Sequence, residues 1–301
     1  ALDIATLEKG MEFADGARAR LTAPHGTYRA ADDTAVFSGD PGLPARYRDE
    51  RGTLVAQTIS YARRADRVDA LGEVQATYAG GGGQETGLLG GAPGEPFHSR
   101  SEALRLLVAT RDVTLTGSVQ AWQKENVLRC DSLRLSDVSR TLDAQGNVKA
   151  LLRRKVGGPT AAAKKGGSET INASGDRLTH HEADRFVRIA GHATIVSGNW
   201  VMNSHDADIR LAPDRSIEYA EAREEVVLED RAMHRRGEGK KATWRPDSDT
   251  ITLDGAPAAA IDGTGNRLTG ATLTFRQGRS RVDVQSSESV PTEAVIRPEG
   301  S

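Results

Sequence analysis

The chain has one cysteine, Cys130, among 301 residues. A single thiol cannot close an intramolecular disulfide, so covalent stapling is excluded and the compartment stays open. In "VLRCDSLRL" (127–135) it sits among alternating apolar residues, which reads as an inert core thiol rather than a nucleophile. Aromatics are only 4% of the chain, too few for base stacking or for sugar-holding platforms. The formal net charge of −2 lacks the basic excess of a phosphate-tracking surface, which argues against a nucleic-acid partner. No stretch approaches the roughly 20 apolar residues that cross a bilayer. No basic segment followed by an apolar one opens the chain, so a signal peptide is expected to have been removed or never present. There is no G-x-S-x-G elbow, no phosphate-binding Gly loop opening a helix, and no Cys–His arrangement around Cys130, so no catalytic residue is assigned and no cofactor is expected. "AGGGGQ" (79–84) reads as a flexible linker, since no strand-to-helix frame surrounds it.

What is present is β-pattern. Hydrophobic residues make up 37%, and with the 32 glycines counted and the tyrosines left out the chain falls within the globular range of about 45–50%. "TLVAQTISY" (53–61), "RDVTLTG" (111–117), "VLRCDSLRL" (127–135), "WVMNSHDADIRL" (200–211), "DTITLDG" (249–255) and "ATLTFRQ" (271–277) alternate apolar and polar residues as half-buried strands do. Turn signals separate them, among them "GDPGLP" (39–44), "AQGN" (144–147) and "RPDSD" (245–249). The best helix candidate is "IATLEKGMEFADGARARL" (4–21), weakened by Gly10 and Gly16.

A short phrase recurs: "VDALGEVQA" (68–76), "VTLTGSVQA" (113–121), "VRIAGHATI" (187–195) and "ITLDGAPAA" (251–259). Its centres are Gly39, Gly72, Gly117, Gly146, Gly191, Glu224, Gly255 and Ser286. They advance by about thirty residues once Gly-rich insertions at 79–96 and 155–169 are set aside, a period that signals stacked repeats. Within a repeat the alternation slips by one residue, as in Leu54, Ala56, Ile59, Tyr61 and in Leu128, Cys130, Leu133, Leu135. A strict period of two would turn the second pair outward, so the slip calls for a bulge or a corner. Each repeat is therefore expected to be strand, corner, strand, with the apolar side inward throughout. Stacked units of this kind share one continuous apolar trough.

"VTLTGSVQAWQKENVLRCDSLRLSDVSRTLDAQGNV" (113–148), "VRIAGHATIVSGNWVMNSHDADIRLAPDRSIEYAEAREEVVLE" (187–229), "GTLVAQTISYARRADRVDALGEV" (52–74) and the unit at 252–275 resemble the OstA-like family, the LptA-type periplasmic proteins that carry lipopolysaccharide outward. The similarity spans roughly residues 20–286 and rests on recurring pattern rather than on invariant residues. It implies an all-β fold, an open, U-shaped antiparallel β-jelly roll over 21–290, after a lead-in at 1–20 and before a tail at 291–301. It also implies a periplasmic location, lipopolysaccharide held by its lipid A portion as cargo, and end-to-end strand pairing with other jelly-roll transport proteins. Head-to-tail self-association is expected for the same reason. Two other readings stay open: a β-solenoid scaffold or adhesin segment with a closed core, and, ranked last, a polysaccharide-active β-helix enzyme.

The expected trough lining is Val113, Leu115, Val119, Leu128, Cys130, Leu133, Leu135, Val187, Ile189, Ile195, Val201, Ile209, Leu211, Val226, Leu228, Ile251, Leu253, Leu273 and Phe275. Any one of these is by itself as well explained by a core, so only the collective trough is a functional expectation. Arg153, Arg154, Arg235, Arg236, Lys240 and Lys241 are candidates for headgroup phosphates, by the charge-assisted bonds such side chains make. "THHEADR" (179–185) and "NSHDAD" (203–208) gather metal-ligand types, but His180 and His181 would point to opposite strand faces, so no metal site is expected.

Overall fold

The computed structural model describes residues 4–15, 19–78, 95–155, 168–213, 217–276 and 281–296. The Gly-rich segments fall at 79–94 and 156–167, outside the described residues. Twenty strands and no helix occur among the described residues, and the chain forms two compact units, 1–148 and 149–301. The fold is all-β, with antiparallel pairing throughout.

The first unit holds β1 (Ile4–Asp15), β2 (Ala19–Arg29), β3 (Thr34–Ser38), β4 (Ala45–Asp49), β5 (Gly52–Ala56), β6 (Thr58–Ala62), β7 (Arg67–Tyr78), β8 (Phe97–Leu107), β9 (Asp112–Gln123), β10 (Asn126–Ser136) and the start of β11 (Thr141–Lys155). The second holds the rest of β11, β12 (Ser168–His181), β13 (Phe186–Ser197), β14 (Trp200–Leu211), β15 (Ile217–Asp230), β16 (Arg235–Arg245), β17 (Thr250–Ile261), β18 (Arg267–Arg276), β19 (Val282–Gln285) and β20 (Glu293–Val295).

The weakened helix candidate at 4–21 falls on two paired strands. β1 and β2 pair from Ile4↔Arg29 to Asp15↔Ala19. Two glycines in eighteen residues cost a helix about 1 kcal/mol each, while buried Ala19, Leu21 and Ala23 alternate as a strand requires. The described residues of the lead-in, 4–15 and 19–20, are thus already sheet. Part of the expected tail is too, since β20 pairs with β18.

The slip in alternation is a corner built from two strands at once. On β7, β9, β13 and β15 two consecutive residues take left-handed backbone: Gly72 and Glu73, Gly117 and Ser118, Gly191 and His192, Glu224 and Glu225. Gly146 and Asn147 do the same on β11. A neighbouring strand answers with one residue. Gly72 and Glu73 stand against Glu102, Gly117 and Ser118 against Asp131, Gly191 and His192 against His205, and Glu224 and Glu225 against Lys240. Two against one is a β-bulge, which bends the strand while keeping apolar residues on one side.

The glycine also permits a close approach. A Cβ at Gly72, Gly117, Gly146 or Gly191 would meet the side chain of Gln57, Glu102, Asp131 or Asp176, in each case the residue fifteen positions earlier in the chain. The residue after the glycine then ties that side chain down. Asn147 Nδ2 donates to Asp131 Oδ2 at 2.9 Å, and His192 Nδ1 lies 3.0 Å from Asp176 Oδ2. In the first repeat the corner is wide enough to split the strand: β3 and β4 flank the turn at 39–44, and β5 and β6 flank Gln57.

Beyond the corner the two arms of each strand face one another. Phe13 on one arm meets Phe37 and Tyr61 on the other, with ring centroids 6.4 and 5.9 Å apart. In the second unit Trp200 meets Phe275 at 6.1 Å. Phe37, Leu21, Ile59, Leu115, Leu128, Leu133, Ile189, Leu253 and Phe275 are fully buried between the arms, each worth about 1.5–3 kcal/mol of burial.

Candidate functional site

The interior between the arms carries the functional question. Of the nineteen expected lining residues all except Val113 are buried. The walls of each unit therefore cover one another, and the lining is not displayed as an exposed groove. Val201 is buried on the other face of the sheet. Its neighbours Trp200 and Met202 are the ones that point inward, together with Ser204 and then, past the bulge at His205, Ala207, Ile209 and Leu211. The sequence shows this slip in "WVMNSHDADIRL", and the Leu128–Leu135 pattern was the guide to reading it.

Cys130 lies in this interior beside the Asp131 corner. Burial, with the Asp131 carboxylate as a second cause, pushes its thiol up to about 12, so it stays protonated and unreactive. In the first unit Tyr47 and Tyr61 also face inward. Burial raises the Tyr61 hydroxyl to about 12, helped by the hydrogen bond it donates to Asp15 Oδ2 at 2.9 Å.

Space remains in the second unit. A small cavity of about 20 Å³ is lined by Ile195, Ser197, Trp200, Met202 and Leu228 from one arm and by Trp244 and Ile251 from the other. Ser197 is its single hydroxyl. The space is about that of one water molecule, and a lining this apolar offers nothing to orient a sugar or an anion.

The cationic candidates do not gather. Arg235 is buried, with Nη2 2.5 Å from Asp230 Oδ2 and its guanidinium 5.8 Å from the Phe275 ring centre, so it caps the interior instead of meeting solvent. Arg236 pairs with Glu238 at 3.0 Å and Lys241 with Glu221 at 2.6 Å on the outer face. Lys240 is the bulged corner residue opposite Glu224 and Glu225. Arg153 is exposed on β11, and the Arg154 side chain lies outside the described residues.

Outer-face charge forms a ladder across β13 to β16. Arg188 binds Asp206 at 2.8 Å, Arg223 binds Asp208 at 2.8 Å and Glu221 at 2.7 Å, and Lys241 completes it at Glu221. Burial would raise the Asp206 and Glu221 carboxyls. Bonds from Arg188 and the Gly191 amide to the first, and from Lys241 and Arg223 to the second, outweigh it and hold both below their ordinary values. Among the described residues no group of three His, Cys, Asp or Glu is arranged to hold a metal.

An all-β roll whose bent strands enclose an apolar interior is a class of protein that handles alkyl chains or packs a core. Residues 98–212 match the family model described as "LptA/(LptD N-terminal domain) LPS transport protein". The description is that of a lipopolysaccharide transport protein. Fifteen solved chains are similar to this one. One is LptH of Pseudomonas aeruginosa, described as the LptA homologous periplasmic component of the conserved lipopolysaccharide transport device. It is 12% identical, covers 68% of this chain and 96% of its own, and has a TM-score of 0.32. No curated protein matches the chain.

Proposed function

We propose that the protein is a periplasmic carrier that shields the acyl chains of lipopolysaccharide between its strand arms during transfer to the outer membrane. The observation that supports this most is the family match at 98–212, in a chain whose inward residues are apolar from one corner to the next. Each buried acyl methylene contributes about 0.8 kcal/mol, so ten give about 8 kcal/mol before ordering costs. Relay needs such moderate affinity. The cavity at Trp200, Met202, Trp244 and Ile251 is the natural starting point, because its lining is apolar on both arms, which would part to admit a chain. β1 pairs with β2, and its second edge is suited to strand pairing with a like domain or another copy.

The buried state of the lining also supports a second reading, a closed-core scaffold without lipid. Photocrosslinking decides between them. A benzophenone amino acid at Met202 or Ile251 is expected to capture lipopolysaccharide, while probes at the outward Arg64 and Asp247 are expected not to. A folded protein with no adduct from either interior position would overturn the carrier reading in favour of the scaffold.

A further inference from the structure

In the first unit the hairpin tips form two rows. One comprises the turns at 30–33, 63–66, 108–111 and 137–140; the other includes the β4–β5 tip at 50–51 and the β9–β10 tip at 124–125. Because every strand folds at its corner, the two rows meet on the side of the interior away from the corners. That side is its mouth.

Glu50 and Arg51 reach across this mouth. Arg111 Nη2 donates to Glu50 Oε1 at 3.1 Å, and Arg51 Nη1 donates to Asp137 Oδ2 at 3.0 Å. Arg51 Nε also lies 3.7 Å from Glu50 Oε1, so two guanidinium groups from opposite rows converge on one carboxylate oxygen. The tip is held ready for this. Asp49 Oδ1 accepts from the Arg51 and Gly52 amides at 2.9 and 2.8 Å, and Arg51 Nη1 donates to the Tyr78 hydroxyl at 3.3 Å. Arg51, Arg111 and Asp137 are only 28, 33 and 29% exposed, whereas Glu50 is 71% exposed and can swing away into water.

We propose that Arg51 and Arg111 form a binding site for a phosphorylated lipid headgroup at the mouth of the N-terminal interior. Glu50 and Asp137 occupy it as a clasp until the phosphate displaces them. Two converging guanidinium groups prefer a doubly charged, multi-oxygen phosphate to a single carboxylate. The exchange frees the 50–51 tip from the opposite row, so headgroup capture and opening of the mouth to the acyl chain become one event. This rests on the carrier reading above, and it places the headgroup contact at residues other than the basic clusters of β11 and β16.

The test uses dodecyl phosphate, dodecanol and inorganic phosphate as probes. Binding is followed by calorimetry, and the mouth by the distance between spin labels at Arg48→Cys and Ser139→Cys, with Cys130→Ala in the background. Dodecyl phosphate is expected to bind and to lengthen the distance. Arg51→Gln with Arg111→Gln is expected to weaken that binding roughly tenfold or more. Glu50→Gln, which removes the competitor, is expected to tighten it about threefold. A merely structural ion pair predicts no tightening. Full-strength binding by the double-Gln variant, or weakened binding by Glu50→Gln, would overturn the site. Dodecanol binding that survives either result would leave the carrier reading standing. An equal lengthening by inorganic phosphate alone would make this an anion site unconnected with lipid and overturn the proposal. If neither amphiphile binds any version, the carrier reading fails and the site falls with it.

Discussion

Replacing Gly117 and Gly42 by Ala separates two reasons for a glycine that the sequence cannot tell apart. The two have nearly the same backbone, φ +80° and +81°, and both lie in the first unit. An Ala held at such a φ costs about 1–2 kcal/mol, of which roughly 0.4–1 is recovered because the unfolded chain is stiffened. At Gly42 a Cβ would meet nothing within 4 Å, so Gly42→Ala should cost about 1 kcal/mol or less. At Gly117 it would meet Glu102 at Oε2 (2.5 Å), Cδ (2.6 Å) and Cβ (2.7 Å). The last of these cannot rotate away, because it is fixed to the backbone of β8. Overpacking of that kind adds about 1–3 kcal/mol. Gly117→Ala should therefore melt roughly 3–10 °C below Gly42→Ala, at about 2–5 °C per kcal/mol for a unit of this size. Urea titrations of both variants, with unchanged m, provide the check. Equal losses to within about 0.5 kcal/mol would show that the corner needs only the backbone angle, and the fifteen-residue pairing of glycine with a polar side chain would lose its physical basis.

Two further expectations concern buried and charged groups. Cys130, with its thiol raised to about 12, should react with a thiol reagent at pH 8 only as fast as the first unit unfolds; rapid labelling of the native protein would mean that the interior is open. Asp206 and Glu221 have depressed pKa values in the folded state, so they contribute stability above their unfolded values near 4 that is lost as the pH falls through the lower folded ones. Thermal melts from pH 6 to pH 3 should show the second unit weakening by about 1 kcal/mol or more, and Arg223→Gln should flatten that dependence. An unchanged slope in the variant would remove the ladder from the account.

Periodicity carried the reading of the arms well. Leu54, Ala56, Ile59 and Tyr61 slip by one residue at Gln57, which faces Gly72; Leu128 to Leu135 slip the same way around Asp131. Glu224 was placed in the glycine series from spacing alone, and it holds φ +63° without being glycine. The reading failed where neighbours decide. The segment 4–21 has helix formers and two glycines, and pairing with neighbours makes residues 4–15 and 19–21 strand. Val201 and Trp200 are both apolar and adjacent, and only the position of the corner at His205 says which one faces inward.

The sequence by itself determined the all-β class, the thirty-residue repeat and the inward alternation, because these are local: a period of two and a one-residue slip are written along the chain whatever it packs against. It did not determine what the charged residues do. Arg235 looks like a surface arginine and is buried on Phe275, while Arg51 and Arg111, sixty residues apart and on different hairpin tips, converge on Glu50. Only the tertiary structure decided this, because folding every strand at its corner brings together hairpin tips that no sequence spacing connects.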